Sequence, residues 1–155
     1  MRLTLNPTQQ KLLAFFGIVL AIWLPRGLKL DQYVTVDESK WLVRSANFYQ
    51  ALDSGNLQHT FQHGHPGVTI MWAGTAGYLL RFPDYVDVTP GQFNWTDDQF
   101  DTFLAQHDHT SLQMLATGRA VVVLIGALAL GFAFLFALRL FGWVPALLGF
   151  GLLGL

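Results

Sequence analysis

The sequence predicts an all-α, polytopic membrane protein, and three observations carry that expectation. The nineteen residues from Ala120 to Leu138 hold no charge, and a helix needs about 20 apolar residues to cross a bilayer. Hydrophobic residues make up 52% of the chain and charged ones only 12%, half the roughly 25% usual in a soluble domain. All ten acids fall between Asp31 and Asp108, so both ends of the chain are apolar or basic.

The elements follow in order. Residues 1–11 read as a cytoplasmic N-terminus and 12–30 as a first transmembrane helix. Its uninterrupted apolar core is Leu12–Leu24, and Arg26 and Lys29 are expected to snorkel to the headgroups. The Ile22-Trp23-Leu24-Pro25-Arg26 continuation lacks the small-residue pattern of a cleaved leader, which favours an uncleaved anchor. Residues 31–118 form one long loop with a net charge of −7. Residues 119–141 form a second span, and 144–155 begin a third that stops short of a bilayer's width. The expected object is therefore a fragment, the N-terminal part of a longer chain. Arg2, Lys11 and Arg139 fall on one side, which places the loop outside, although Arg26 and Lys29 weaken the bias.

Two juxtamembrane helices are expected inside the loop, over about 36–53 and 66–81. Thr35 and Glu38 have the spacing of a capping box, and Trp41, Ser45, Phe48 and Leu52 then share a helical face. Such a helix is expected to lie in the membrane interface. Pro66 is a good first helical residue for the second helix, whose three glycines point to a half-buried position. From Pro83 to Ser111 the pattern reads as a structured, turn-rich loop.

Candidate chemistry begins with Asp37-Glu38 at the start of the first loop helix. A carboxylate there could take a proton from an acceptor hydroxyl or bind a cation. Helix capping is the commoner reason for acids at such a position. His59, His63 and His65 lie within seven residues, but no cysteine or nearby acid completes a zinc set, so no metal centre is expected there. A turn that aims one histidine at a phosphate is the preferred reading. Asn94-Trp95-Thr96 matches a glycosylation tripeptide that arises often by chance, and His107-Asp108-His109 stands alone. The net charge of −1 gives no basic field for nucleic acid.

The order of these pieces resembles the N-terminal part of the GT-C membrane glycosyltransferases. The look-alikes are the protein O-mannosyltransferases and the bacterial lipid-carrier-dependent glycosyltransferases. The matching residues are Asp37-Glu38, Ser54-Gly55, His65-Pro66, Arg119 and Arg139-Leu140-Phe141-Gly142. Gly67 stands where that family usually has a second proline, and Pro83–Ser111 has no counterpart. The resemblance implies an enzyme of a bacterial inner (plasma) membrane, with loop 31–118 external. It implies sugar transfer from a polyprenyl-phosphate donor to an acceptor, in one inverting displacement. Asp37 would be the general base and Glu38 its support, with His65, Arg44 and Lys40 facing the lipid phosphate. The family includes metal-dependent and metal-independent members, which leaves a divalent cation open. The rival expectations are a non-enzymatic complex subunit with an acidic docking loop, and a metal-binding loop built on the three histidines.

Overall fold

The computed structural model describes residues 5–32, 34–63 and 67–154. All regular structure among them is helical: α1 (Pro7–Gly27), α2 (Glu38–Asp53), α3 (Val68–Arg81), α4 (Tyr85–Val88), α5 (Asp97–Gln106), α6 (Ser111–Phe141) and α7 (Trp143–Leu153), with a 3₁₀ turn at Leu57–Thr60. Two of them, α1 and α6, are long and apolar enough to cross a membrane. The chain divides into two compact units, Met1–Leu28 with Val123–Leu155, and Lys29–Val122.

In the first unit, α1 starts earlier than its apolar run. Asn6 caps it: its side chain accepts from the Gln9 N–H at 2.8 Å, and Gln9 returns the bond to the Asn6 N–H at 3.0 Å. Pro7 fills a first-turn position where a missing N–H costs nothing. α1 packs on α6 where Gly131 stands; a Cβ there would lie 2.5 Å from Val19 Cγ2 and 2.8 Å from Phe15 Cε2. Only a residue without a side chain permits that approach, as in other tightly packed apolar helix pairs. Phe15, Ile22, Phe134 and Leu138 are buried together around the contact. Leu13, Phe16, Ile125, Phe136 and Leu148 face outward, an apolar surface of the kind a membrane helix presents. Gly142, at φ 81°, breaks the backbone between α6 and α7 in a conformation that favours glycine.

Arg26 is tied to backbone carbonyls of its own unit. Its Nη1 donates to the Ile22 carbonyl at 3.1 Å and its Nη2 to the Leu153 carbonyl at 2.8 Å. Carbonyls at the end of α7 thereby gain a cationic donor, which the helix dipole favours.

In the second unit, α2 is a core helix. Every residue from Ser45 to Ala51 is buried, polar Asn47 and Gln50 included. The face predicted from Trp41, Ser45 and Phe48 is covered by protein, with α3 laid along it. The closest point is Gly74, where a Cβ would stand 2.1 Å from Ser45 Oγ. Further along α3, a Cβ on Gly77 would meet the backbone of Gly118 at 3.0 Å. Tyr49, Tyr78, Tyr85, Phe100 and Phe103 form an aromatic centre, in which the Tyr78 hydroxyl donates to the Leu42 carbonyl at 3.3 Å.

Besides α1, which runs Pro7–Gly27 where 12–30 is expected, other elements differ from expectation. α2 begins at Glu38 with Asp37 as its N-cap, so Thr35 belongs to the preceding turn. α6 begins at Ser111, eight residues ahead of the predicted span, where the Thr110 hydroxyl accepts from the Gln113 N–H at 3.3 Å. The segment read as a loop contains α5, capped by a reciprocal Thr96–Gln99 pair and buried through Phe100, Phe103 and Leu104. That helical spacing and the acids Asp97 and Asp98 in the first turn account for it. Pro66, expected to open the second loop helix, lies outside the described residues, and α3 is described from Val68.

Candidate functional site

The carboxylate pair at the head of α2 is split by its surroundings. Glu38 is the first residue of the helix and turns toward α6. Its Oε1 accepts from Arg119 Nε at 2.8 Å and its Oε2 from Arg119 Nη2 at 2.7 Å. This is the parallel two-bond geometry in which a guanidinium matches a carboxylate best. Oε2 also accepts from the Thr35 N–H at 2.7 Å, which keeps one half of the predicted capping box. Arg119 Nη1 donates further to the carbonyls of Leu30 and Gln32, so one side chain ties the chain after α1 to the start of α2.

The charge state of Glu38 follows from this geometry. The Arg119 guanidinium holds its carboxyl below the ordinary carboxylate value, partial burial pulls the other way, and the Thr35 N–H adds to the lowering. Glu38 is therefore a fixed anion with its lone pairs engaged. It is poorly suited to accept a proton during a reaction.

Asp37 differs in each respect. It occupies the N-cap, yet its side chain makes no capping bond, and it is exposed. The backbone holds it, since the Trp41 N–H closes the first helical bond onto the Asp37 carbonyl at 3.2 Å. Along α2, Lys40, Trp41 and Arg44 follow at helical spacing on its side. Lys40 is exposed, and the Arg44 guanidinium lies over the Trp41 ring, 4.7 Å from its centre. A cation stacked on an indole keeps its charge while its position is restricted.

Trp41 also closes on the residue ahead of α3. Gly67 is buried against the indole, and a Cβ on Gly67 would lie 2.1 Å from Trp41 Cη2. A proline at that position would collide with the ring.

His65 lies outside the described residues. His59 stacks on Phe93, ring centres 4.1 Å apart. No group of three or more metal-ligating side chains occurs among the described residues. Burial pushes the Tyr85 hydroxyl up to about 12 and the Tyr78 hydroxyl well above its ordinary value.

Of the predicted site residues, the structure brings Asp37, Lys40 and Arg44 onto one side of α2 and turns Glu38 away to Arg119. Arg119 joins the site through Glu38, whereas the sequence marks it only as the arginine before the apolar span in the resemblance. Its signal in the sequence is an arginine heading an uncharged apolar segment, a place where ionisable side chains tend to find partners. No family model, curated protein or solved structure matches the chain.

Proposed function

We propose that the protein is a membrane glycosyltransferase that moves a sugar from a polyprenyl-phosphate donor to an acceptor at the outer face of the membrane. The observation that carries this reading is the unpaired, exposed Asp37 carboxylate on a helix start clamped by Glu38 and Arg119. In the reaction, an acceptor hydroxyl gives its proton to an Asp37 carboxylate oxygen as its own oxygen attacks the anomeric carbon from the face opposite the phosphate. The bond from that carbon to the phosphate oxygen breaks, and polyprenyl phosphate departs with the electron pair. Lys40 and Arg44 supply positive charge for the leaving phosphate, and His65 is a third candidate for that role. Glu38 is a positioning residue, held by Arg119. A divalent cation bound by Asp37 is compatible with the same site.

Asp37→Asn tests the proposal in membranes carrying the gene's complete product, supplied with a panel of polyprenyl-phosphate sugars. Loss of a general base costs about 10²–10⁴-fold in rate. Asparagine is as good an N-cap as aspartate, so folding and insertion are expected to be unchanged. Near-normal transfer by this variant would remove the catalytic assignment.

A second reading, a non-enzymatic subunit with an acidic docking surface, is favoured by six exposed aspartates between Asp84 and Asp108: Asp84, Asp87, Asp97, Asp98, Asp101 and Asp108. It predicts no transferase activity in the complete product and loss of a partner when these charges are neutralised.

A further inference from the structure

In the first unit, a groove of about 500 Å³ opens between the beginning of α1 and the end of α6. α1 lines it with Thr8, Lys11 and Leu12, and α6 with Phe132, Leu135, Phe136, Leu138 and Arg139. Residues 8, 11 and 12 share one helical face, as do 132, 135, 136 and 139, so the lining is continuous on both helices. Its lining is mixed: two cations and a hydroxyl together with aromatic and aliphatic side chains. Leu12, Phe132 and Phe136 are 52%, 63% and 64% exposed, so these apolar walls are open.

We infer that this groove holds one anionic phospholipid of the surrounding bilayer, with its phosphodiester between Lys11 and Arg139 and an acyl chain over Leu12, Phe132 and Phe136. Charge complementarity selects the occupant. Residues 1–28 and 123–155 contain no aspartate or glutamate, so no acidic side chain of this unit pairs with the two cations. Basic pockets between membrane helices at headgroup depth take anionic lipid headgroups. The apolar walls distinguish a lipid from a free anion, which would leave them uncovered. The inference rests on α1 and α6 spanning a membrane, and is independent of glycosyl transfer.

The test uses the complete gene product, purified in detergent and titrated with phosphatidylglycerol, phosphatidylcholine or inorganic phosphate. Retained lipid is read by native mass spectrometry and protection by the melting temperature. The expected result is one phosphatidylglycerol per chain, preferred over phosphatidylcholine, with no protection by inorganic phosphate. Two juxtamembrane bases together give roughly a 30-fold preference for an anionic lipid, which K11Q/R139Q should remove and K11R/R139K should keep. Phe136→Ala, a change at an exposed side chain, should lower retention several-fold and covers the case in which the neutral pair does not insert. Equal binding of the two lipids, or retention unchanged in K11Q/R139Q or Phe136→Ala, would overturn the site. Protection by inorganic phosphate alone would make it a simple anion site and overturn the lipid. Carbonate extraction separates the premise, because a chain released into the soluble fraction overturns the spanning reading itself.

Discussion

Arg119 and Glu38, 81 positions apart in sequence, meet through two hydrogen bonds of 2.8 and 2.7 Å. The pair is largely shielded, with the arginine side chain 20% and the glutamate 26% exposed. It fixes the first turn of α2 beside the head of the apolar stretch that begins at Ala120. Because Arg119 also serves the Leu30 and Gln32 carbonyls, its removal strands acceptors as well as a charge.

Arg119→Met should therefore destabilise the second unit by about 1–3 kcal/mol, the range for losing hydrogen bonds to a charged group. Arg119→Lys should recover only part, since an ammonium cannot form the parallel two-bond contact. Thermal melts of the two variants in one detergent would check the order.

The same pair sets a pH dependence. Glu38 has a lowered pKa in the folded protein, so the folded state binds its proton less readily than the unfolded chain does. Its stabilising contribution is complete above the unfolded value, about 4.3 for glutamate. It is lost as pH falls through the lower folded value. Between pH 7 and pH 3, the melting-temperature gap between the wild type and Glu38→Gln should close toward the acid end. A gap that stays constant would show that charge on Glu38 adds nothing.

Much of the helical layout is legible in the sequence because hydropathy and turn residues act locally. The Ala120–Leu138 run lies within α6, and Ser54-Gly55 follows the end of α2. Hydropathy alone does not show the start of α1, because apolar residues begin only at Leu12, whereas the Asn6-Pro7-Thr8-Gln9 cap decides where the helix begins. α5 was missed for a related reason: its acids and aromatics resemble a loop until Thr96 and Gln99 are read as a reciprocal cap. Asp37-Glu38 stands out as a pair, but nothing local divides the roles. The division depends on Arg119, and a contact across 81 positions belongs to the tertiary structure.

The orientation proposed for the second unit can be read with one cysteine, because the chain has none of its own. Asn56, exposed in the turn after α2, is a suitable position. In intact cells Asn56→Cys should react with an impermeant thiol reagent. Labelling only after permeabilisation would place residues 31–118 on the opposite side.

α2, which carries the candidate site, packs on α3 through Ser45 and Gly74. An alanine at Gly74 would put its Cβ 2.1 Å from Ser45 Oγ and 2.4 Å from Ser45 Cβ, while the next neighbour, Ser45 Cα, is 3.8 Å away. Rotating the serine cannot relieve the shorter carbon contact, so Gly74→Ala should cost about 1–3 kcal/mol, as overpacking does. The gain in helix propensity from glycine to alanine, up to about 1 kcal/mol, only partly offsets this. Ser45→Gly alone should also destabilise, through helix propensity and loss of the 2.7 Å bond from its hydroxyl to the Trp41 carbonyl. Combined, the two substitutions exchange the small and large residues across the contact and leave only the ordinary 3.8 Å approach. The double variant should then melt close to the wild type, with a coupling energy of about 1–3 kcal/mol in its favour. Additive losses would mean that α2 and α3 do not pack through Gly74 and Ser45.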